Sequence, residues 1–351
     1  MTKRLLILGD LHIGVRKDDP KIEKIIVDAF EQAIKYSKKH KINTWIQTGD
    51  WFDVRSAITH TTMELISKTL VPMIRKAKIH IHVLVGNHDM KHKNSITPNA
   101  CDEVLSQYDD VITVYQEPTT IDFDGVDIDM IPWVCDENIE TILAFIKNSG
   151  SKYCVGHWEL NGYFFYKNQP STGYDPGFLE KYDQVFSGHF HTISKGGNVL
   201  YVGTPYTLTY GDENDERGFW DFEPSTGKFT FVQNKTMWHQ RIEYPVPEKF
   251  DPKSIQDCYV RVIIEDEDDD FQKFVDEVLV NTHDYRLVRS NKLLSSMYGF
   301  DPTEDVTLNE DGSTKSILDI SNEYVDGMNL TDDEKVNVKS ILQSLYNKVR
   351  G

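Results

Sequence analysis

Five stretches of this sequence end an apolar run on side chains that bind cations or move protons. They are Asp10 and His12 in RLLILGDLH (4–12), Asp50 and Asp53 in NTWIQTGDWFD (43–53), and Asn87, His88 and Asp89 in HIHVLVGNHD (80–89). His157 in SKYCVGHWEL (151–160) and the pair His189 and His191 in YDQVFSGHFHT (182–192) complete the set. One such histidine alone reads as an ordinary hydrogen-bonded residue. So many ionisable groups gathered in one crevice would repel one another or stay unsatisfied without a cation, so the pattern predicts metal binding. Asp10 and His12, like His189 and His191, are two residues apart and can face the same way from a strand. No thiolate belongs to the set. A mixed oxygen and imidazole shell suits Mn²⁺, Fe²⁺ or Zn²⁺, with Mg²⁺ also admissible, and a pair of octahedral Mn²⁺ ions is the first expectation. Two ions roughly 3.5–4 Å apart need a bridging carboxylate, and can activate water and stabilise in-line displacement at phosphorus.

The elements that must position these groups follow from periodicity. Amphipathic helices are predicted over KIEKIIVDAFEQAIKYSKKH (21–40) and TTMELISKTLVPMIRKAK (61–78), the second with a kink or an end at Pro72. Strand–helix–strand alternation predicts parallel βαβ units, and sites in such sheets form beyond the carboxyl ends of strands. From about residue 195, NVLYVGTPYTL, GFWDFEP and KFTFVQN read as further strands with a hairpin turn at 224–227, and predict a second, more antiparallel sheet. The aromatic and then proline-rich 236–252 reads as a domain boundary, and 258–283 as one strand and one helix. Residues 300–315 are polar and acidic and read as a linker. In the last segment Thr331 and Glu334 fit a capping box. There Val336, Val338, Ile341, Leu342, Leu345 and Val349 form a stripe that needs something to pack against.

Composition bounds the partners. The 351 residues carry a net charge of −18, unevenly spread. Residues 1–100 hold 17 Lys and Arg against 10 Asp and Glu, a net +7, which leaves −25 on the remaining 251. Such a chain does not coat nucleic acid indiscriminately; contact with it must be local, metal-assisted or shared with a more basic partner. Arg55, Lys91, His92 and Lys93 flank the polar clusters in the only net-basic region and are candidates for phosphate contact, the alternative being solvated charge. No apolar stretch is long enough to span a bilayer, and the opening residues read as a strand rather than a signal peptide. The four cysteines are widely spaced with no Cys-x-x-Cys pair, which predicts neither disulfides nor a thiolate zinc site and fits an intracellular location. His40, His60, His80, His82, His239 and His283 belong to no cluster and are expected to be structural or at the surface; Trp133, Trp158 and Trp238 are expected in the core.

In order, Asp10-x-His12, Gly49-Asp50-x-x-Asp53, Gly86-Asn87-His88-Asp89, Gly156-His157 and Gly188-His189-x-His191 resemble the five motifs of the calcineurin-like metallophosphoesterases. The resemblance narrows to the nuclease subunits of SbcCD-type double-strand-break repair complexes. YVGTPYTLTYGDENDERGF (201–219) carries that narrower resemblance, and within it the chain is nearest to the recombination endonuclease subunits of large tailed bacteriophages, on WIQTGDWFDVR, AITH, VGHWELNG and GTPYTLT. It implies an α/β, four-layer αββα sandwich with a small α/β cap domain and a C-terminal helical segment. The expected bounds are 1–245 for the nuclease domain, 246–299 for the cap, 300–315 for the linker and 316–351 for the C-terminal helices.

Residue by residue, the resemblance assigns Asp10, His12, Asp50 and His191 to one ion, and Asn87, His157 and His189 to a second that shares Asp50. His88 would face the scissile phosphate as transition-state stabiliser or leaving-group acid, with Asp89 orienting its ring. Some of these nucleases carry a histidine at the position of Asp53; here Asp53 is expected to hold a metal-ligating histidine. The resemblance further implies DNA ends as substrate, an SMC-like ATPase gripped by the C-terminal helices, and a homodimer through helices around 60–78 and 97–108. It places the protein in the cytoplasm or nucleoid, that of the host cell if the gene is a phage's. The aromatic NGYFFYK (161–167) is either core or dimer packing, or a surface that stacks unpaired bases. The rival readings are a phosphatase or cyclic-nucleotide phosphodiesterase with the same metal chemistry, and a non-catalytic scaffold, which would have no need of His88.

Overall fold

Apolar residues on both faces of a strand require cover on both sides, and LLIL at the first strand is the clearest case. In the computed structural model, which describes residues 3–166, 169–290, 293, 317–328 and 331–350, that cover is a stack of four layers. The first sheet contains β1 (Leu5–Leu8), β2 (Thr44–Gln47), β3 (His80–Leu84) and β4 (Ile112–Tyr115), mutually parallel. The second contains β5 (Thr119–Phe123), β6 (Val126–Ile131), β7 (Tyr153–His157), β8 (Gln184–Gly188), β9 (Ser194–Gly196) and β10 (Val199–Tyr201), in the order β9-β10-β8-β7-β6-β5.

Alternation along each strand builds three cores. Leu6, Leu8, Trp45 and Val83 face helices α1 (Pro20–His40) and α2 (60–77). Leu5, Ile7, Ile46 and Leu84 meet Met130, Val155 and Phe186 between the sheets. Cys154, Val185 and Tyr201 face α3 (Ile139–Asn148) through Ile142 and Ile146. The four-layer αββα sandwich is therefore the observed architecture.

Two local expectations change. Strands β11 (Gly218–Glu223) and β12 (Lys228–Gln233) do form a hairpin around 224–227. They do not make an antiparallel sheet with the strand before them. β11 pairs antiparallel with β1 and extends the first sheet, whereas β10 pairs parallel with β8 in the second. Pro72 does not break α2 either. The turns over Leu65–Leu70 widen, Val71 donates to the carbonyl of Ile66 five residues back, and the helix continues through Val71–Ala77. A widened turn absorbs the hydrogen bond that proline cannot make. α1 starts as its sequence suggests, with Pro20 in the first turn and the Asp19 carboxylate accepting from Lys21 N at 2.8 Å.

The sandwich belongs to the larger of two compact units, made of residues 1–241, 251–261 and 278–285. The smaller comprises 242–250, 262–277 and 286–351. In it Tyr244 packs on Phe271 and Phe274 and donates to Asp268 at 2.5 Å. Also in it, α4 (Ile317–Gly327) and α5 (Asp332–Arg350) are joined by Lys339 Nζ to Asp326 at 2.6 Å. The capping box forms: Thr331 N donates to Glu334 Oε2 at 2.9 Å and Glu334 N to Thr331 Oγ1 at 3.4 Å. Val336 and Ile341 on α5 are 66% and 60% exposed. The expected linker, 300–315, lies outside the described residues. Among the described residues, no helix is long and apolar enough to cross a membrane.

Candidate metal centre

All five polar clusters sit at carboxyl ends of central strands, three on the first sheet (β1, β2, β3) and two on the second (β7, β8). The backbone there is bent to aim them. His12, Asp50 and His189 have φ of 47°, 55° and 84°, left-handed values that non-glycine residues rarely adopt. Strain of this kind persists where the surroundings over-determine it, and it clusters at functional sites. Glycines next to the clusters admit close approach. Gly49 has φ 106°, and a Cβ there would stand 2.5 Å from His157 Nδ1; at Gly188 it would stand 2.6 Å from Asp10 Oδ1.

The donors converge in overlapping groups: Asp10, His12 and His191; His12, Asp50 and His88; and Asp50, His157 and His189. His12 Nε2 lies 3.0 Å from His191 Nε2 and 3.9 Å from Asp10 Oδ2. Asn87 Oδ1 lies 3.0 Å from His157 Nε2 and 2.9 Å from His189 Nδ1. Asp50 is common to two of them, and its Oδ2 is 3.8 Å from His12 Nε2 and 3.4 Å from His157 Nε2. Its Oδ1 accepts from His88 N at 2.7 Å. Donors at right angles on an ion with bonds of about 2.1 Å lie about 3 Å apart, so these spacings suit divalent cations. The donor set itself, carboxylates, an amide oxygen and imidazoles with no sulfur, suits them equally.

Charge reinforces this. Burial lifts the Asp10 carboxyl to about 6. Burial would also lift Asp50, but the facing imidazoles, His157 foremost, hold it well below the usual carboxylate range. His157 is opposed by burial yet driven up to about 9 by Asp50 and Asp10. His189 and His191 fall to about 3, through burial first and then through His157 and His12 respectively. A pocket in which protons are divided so unevenly is one whose charges a cation would reconcile.

The flanking groups bear on the predicted roles. Asp53 Oδ1 lies 3.3 Å from His12 Nδ1, beside the ring it was expected to hold. His88 is half-buried, its ring 4.8 Å from that of His12. Its Nδ1 donates to the carbonyl of Asp53 at 2.8 Å. Asp89 does not orient His88, and that expectation is corrected. Its carboxylate accepts from Gly86 N at 2.8 Å, Phe52 N at 2.9 Å and Trp51 N at 3.4 Å. It ties the second cluster's loop to the third. Burial and Asp50 raise its carboxyl to about 6.

Lys91, His92 and Lys93 are exposed on a hairpin, Met90–His92 with Ser95–Asn99, that begins where the third cluster ends; Arg55 is half-buried after the second. NGYFFYK is divided. Tyr163 is half-buried, donates to Gly196 O at 2.6 Å and packs on Tyr201, whereas Phe164 is 49% exposed. Lys167 lies outside the described residues. Trp158 is in the core, as expected. Trp133 is only partly buried, and its ring lies 5.7 Å from that of His157 and 4.9 Å from that of His189. Nothing in its sequence context placed it there. Two more residues were missed. Thr48 O accepts from His157 Nδ1 at 2.8 Å, and Glu159 lies 3.9 Å from His189 Nε2. Glu159 follows His157 by two residues, a spacing that could have drawn attention to it.

The calcineurin-like phosphoesterase family matches residues 3–193. Exonuclease subunit 1 of Enterobacteria phage T4 is 46% identical over 344 residues, 98% of either chain. The DNA double-strand break repair protein Mre11 of Sulfurisphaera tokodaii is 25% identical over 58% of this chain and 54% of its own. The Mre11 of Saccharolobus solfataricus is 28% identical over 37% and 33% respectively. Family match, near-full-length relative and converging donors agree: the chain belongs to the calcineurin-like phosphoesterases.

Proposed function

We propose that this protein is the nuclease subunit of an assembly that processes DNA ends in recombination and double-strand-break repair, hydrolysing phosphodiester bonds with two divalent ions. The observation that carries the reading is Asp50 Oδ2, within 3.8 Å of an imidazole from each donor group, where a carboxylate shared by two ions has to stand. In this reading Asp10, His12, Asp50 and His191 hold one ion, and Asp50, Asn87, His157 and His189 the other. Mn²⁺ is the first choice. Cations so held would activate water and offset charge on the phosphoryl oxygens.

The chain's own groups supply orientation and a proton. The carbonyl of Asp53 can only accept, so it fixes the proton on His88 Nδ1 and leaves Nε2 to serve the phosphate. A protonated Nε2 stabilises charge on the phosphoryl group or passes its proton to the leaving oxygen. Asp53 also abuts His12, so one residue positions a metal-ligating ring and the acid. Asp89 has its role one step further back, in the backbone that carries Asn87 and His88.

DNA ends as substrate are supported by the names of the relatives, as is work within a larger assembly. An SMC-like ATPase docked on the C-terminal helices is consistent with Val336 and Ile341, apolar and exposed on α5. Arg55, Lys91, His92 and Lys93 are proposed to touch DNA phosphates. The homodimer through 60–78 and 97–108 has less physical support, because the exposed positions on 60–77 are polar apart from Pro72. The proposed division remains a nuclease domain over 1–245, a cap over 246–299, a linker over 300–315 and partner-binding helices from 316, in a protein working inside the cell.

The test is to assay the purified chain with Mn²⁺ on duplex DNA ends and on a small phosphodiester. Release of nucleotides from DNA is expected. Turnover of the small ester alone would select a phosphatase or cyclic-nucleotide phosphodiesterase instead.

A further inference from the structure

Imidazole is a ligand only through the ring nitrogen that lacks a proton, and the group on the other nitrogen decides which one that is. Two rings of this centre follow one rule. His157 gives its Nδ1 proton to Thr48 O and His88 gives its own to Asp53 O, both at 2.8 Å, so Nε2 is left to face the pocket. His12 is arranged alike, with Nδ1 beside the Asp53 carboxylate and Nε2 inward. His189 is reversed. Its Nδ1 faces inward, 2.9 Å from Asn87 Oδ1, and its Nε2 points away from the cluster. A ring turned this way ligates only if Nε2 keeps the proton.

The carboxylate facing that nitrogen is Glu159, with Oε2 3.9 Å from His189 Nε2. The ring is neutral and the separation is longer than a direct hydrogen bond, so a single bridging water would complete the contact. Glu159 is itself held in place. Its Oε1 accepts from the hydroxyl of buried Ser171 at 3.4 Å, its carbonyl accepts from Tyr174 N at 2.9 Å, and a Cβ on Gly173 would stand 2.8 Å from its Cγ.

We propose that Glu159 is a positioning residue for the second ion site, whose carboxylate keeps the proton on His189 Nε2 and so leaves Nδ1 as the donor. The proposal rests on the two-ion reading and adds to it a residue outside the five motifs. It also predicts an asymmetry. Removing Glu159 weakens the ion that His189 serves and spares the one held by Asp10, His12 and His191.

The experiment titrates Mn²⁺ into the metal-free full chain and its Glu159→Ala and Glu159→Gln variants, read by calorimetry and by electron paramagnetic resonance. Wild type is expected to take two ions. Glu159→Ala is expected to weaken one of them about 10- to 100-fold. Glu159→Gln, whose amide oxygen still accepts a hydrogen bond, should recover most of that loss. Unfolding temperatures of the three metal-free proteins should agree. Two ions bound with wild-type affinity in Glu159→Ala would overturn the proposal. So would outright loss of one ion, which would make Glu159 a ligand, or a lowered metal-free unfolding temperature with both ions weakened alike. Fewer than two ions on wild type would instead defeat the two-ion reading beneath it.

Discussion

His80 and His82 repeat the spacing of His189 and His191, each pair two residues apart on or beside a strand, yet the two regions share no chemistry. The first pair lies in β3 itself, at its amino end. His80 Nε2 bonds Thr113 Oγ1 and His82 Nδ1 bonds Tyr115 OH, both at 2.8 Å, and the two rings sit 5.1 Å apart. The second pair follows the carboxyl end of β8, among Asp10, Asp50 and Asn87. His-x-His spacing therefore says only that two rings can face one way. The end of the strand decides whether they meet hydroxyls of a neighbouring strand or carboxylates from other strands of the stack.

The largest effects should fall on the second pair. Replacing His189 with Gln, or Asp50 with Asn, is expected to cost at least one bound ion and on the order of 10³-fold or more in cleavage, because the ions supply both nucleophile activation and charge neutralisation. His82→Gln is expected to keep both ions and cleave within about two-fold of wild type, as a substitution outside the reacting groups should. Metal analysis beside an end-labelled DNA assay reads both, and loss of metal in His82→Gln would break the comparison.

A smaller loss should come from His88, which the proposed function leaves outside the ligand set. His88→Ala is expected to retain two ions and to lose about 10²-fold or more in cleavage, the range for a proton-transferring side chain. Its Nδ1 is tied to a backbone carbonyl rather than to a donor of the cluster, so its removal leaves the ligands in place. Loss of an ion in this variant would move His88 from the reacting groups to the ligands.

Much of this was legible in the sequence, because the informative signals are local. A strand, a glycine and a polar residue adjoin in the chain, and their order matched a family. What was not legible was pairing across long separations. The pattern marked NVLYVGTPYTL, GFWDFEP and KFTFVQN as strands but could not say that the first would join the second sheet and the other two the first. Asp89 adjoins His88 in the chain, which made it the natural partner of that ring. The turn aims its carboxylate at the amides of residues 51, 52 and 86 instead, and two of those come from another strand's loop. Trp133 was expected only in the core and Glu159 was passed over, because neither ends an apolar run on a polar cluster. They meet His157 and His189 through the side-by-side pairing of β6, β7 and β8 within the second sheet, whose order the sequence does not state.

The least dramatic test concerns the first pair, whose burial has a thermodynamic consequence. Burial, with the neighbouring His80 adding to it, lowers the folded pKa of His82 from 6.5 to about 4. Unfolded, the ring would titrate near its ordinary value. Between these values the unfolded chain binds more protons than the folded one, so this group's contribution to stability rises with pH there. It is fully present above about pH 6.5 and is lost as the pH falls towards 4. The displacement corresponds to roughly 1–3 kcal/mol once partial solvation of the charged ring is allowed for. Gln can still bond the hydroxyl of Tyr115 but does not titrate. In urea unfolding with chelator present, wild type should therefore lose more stability than His82→Gln between pH 7 and 4.5. Parallel curves would mean that the ring is solvated in the folded state. In that case the contrast between the two pairs would rest on metal binding alone, without the difference in burial that accompanies it here.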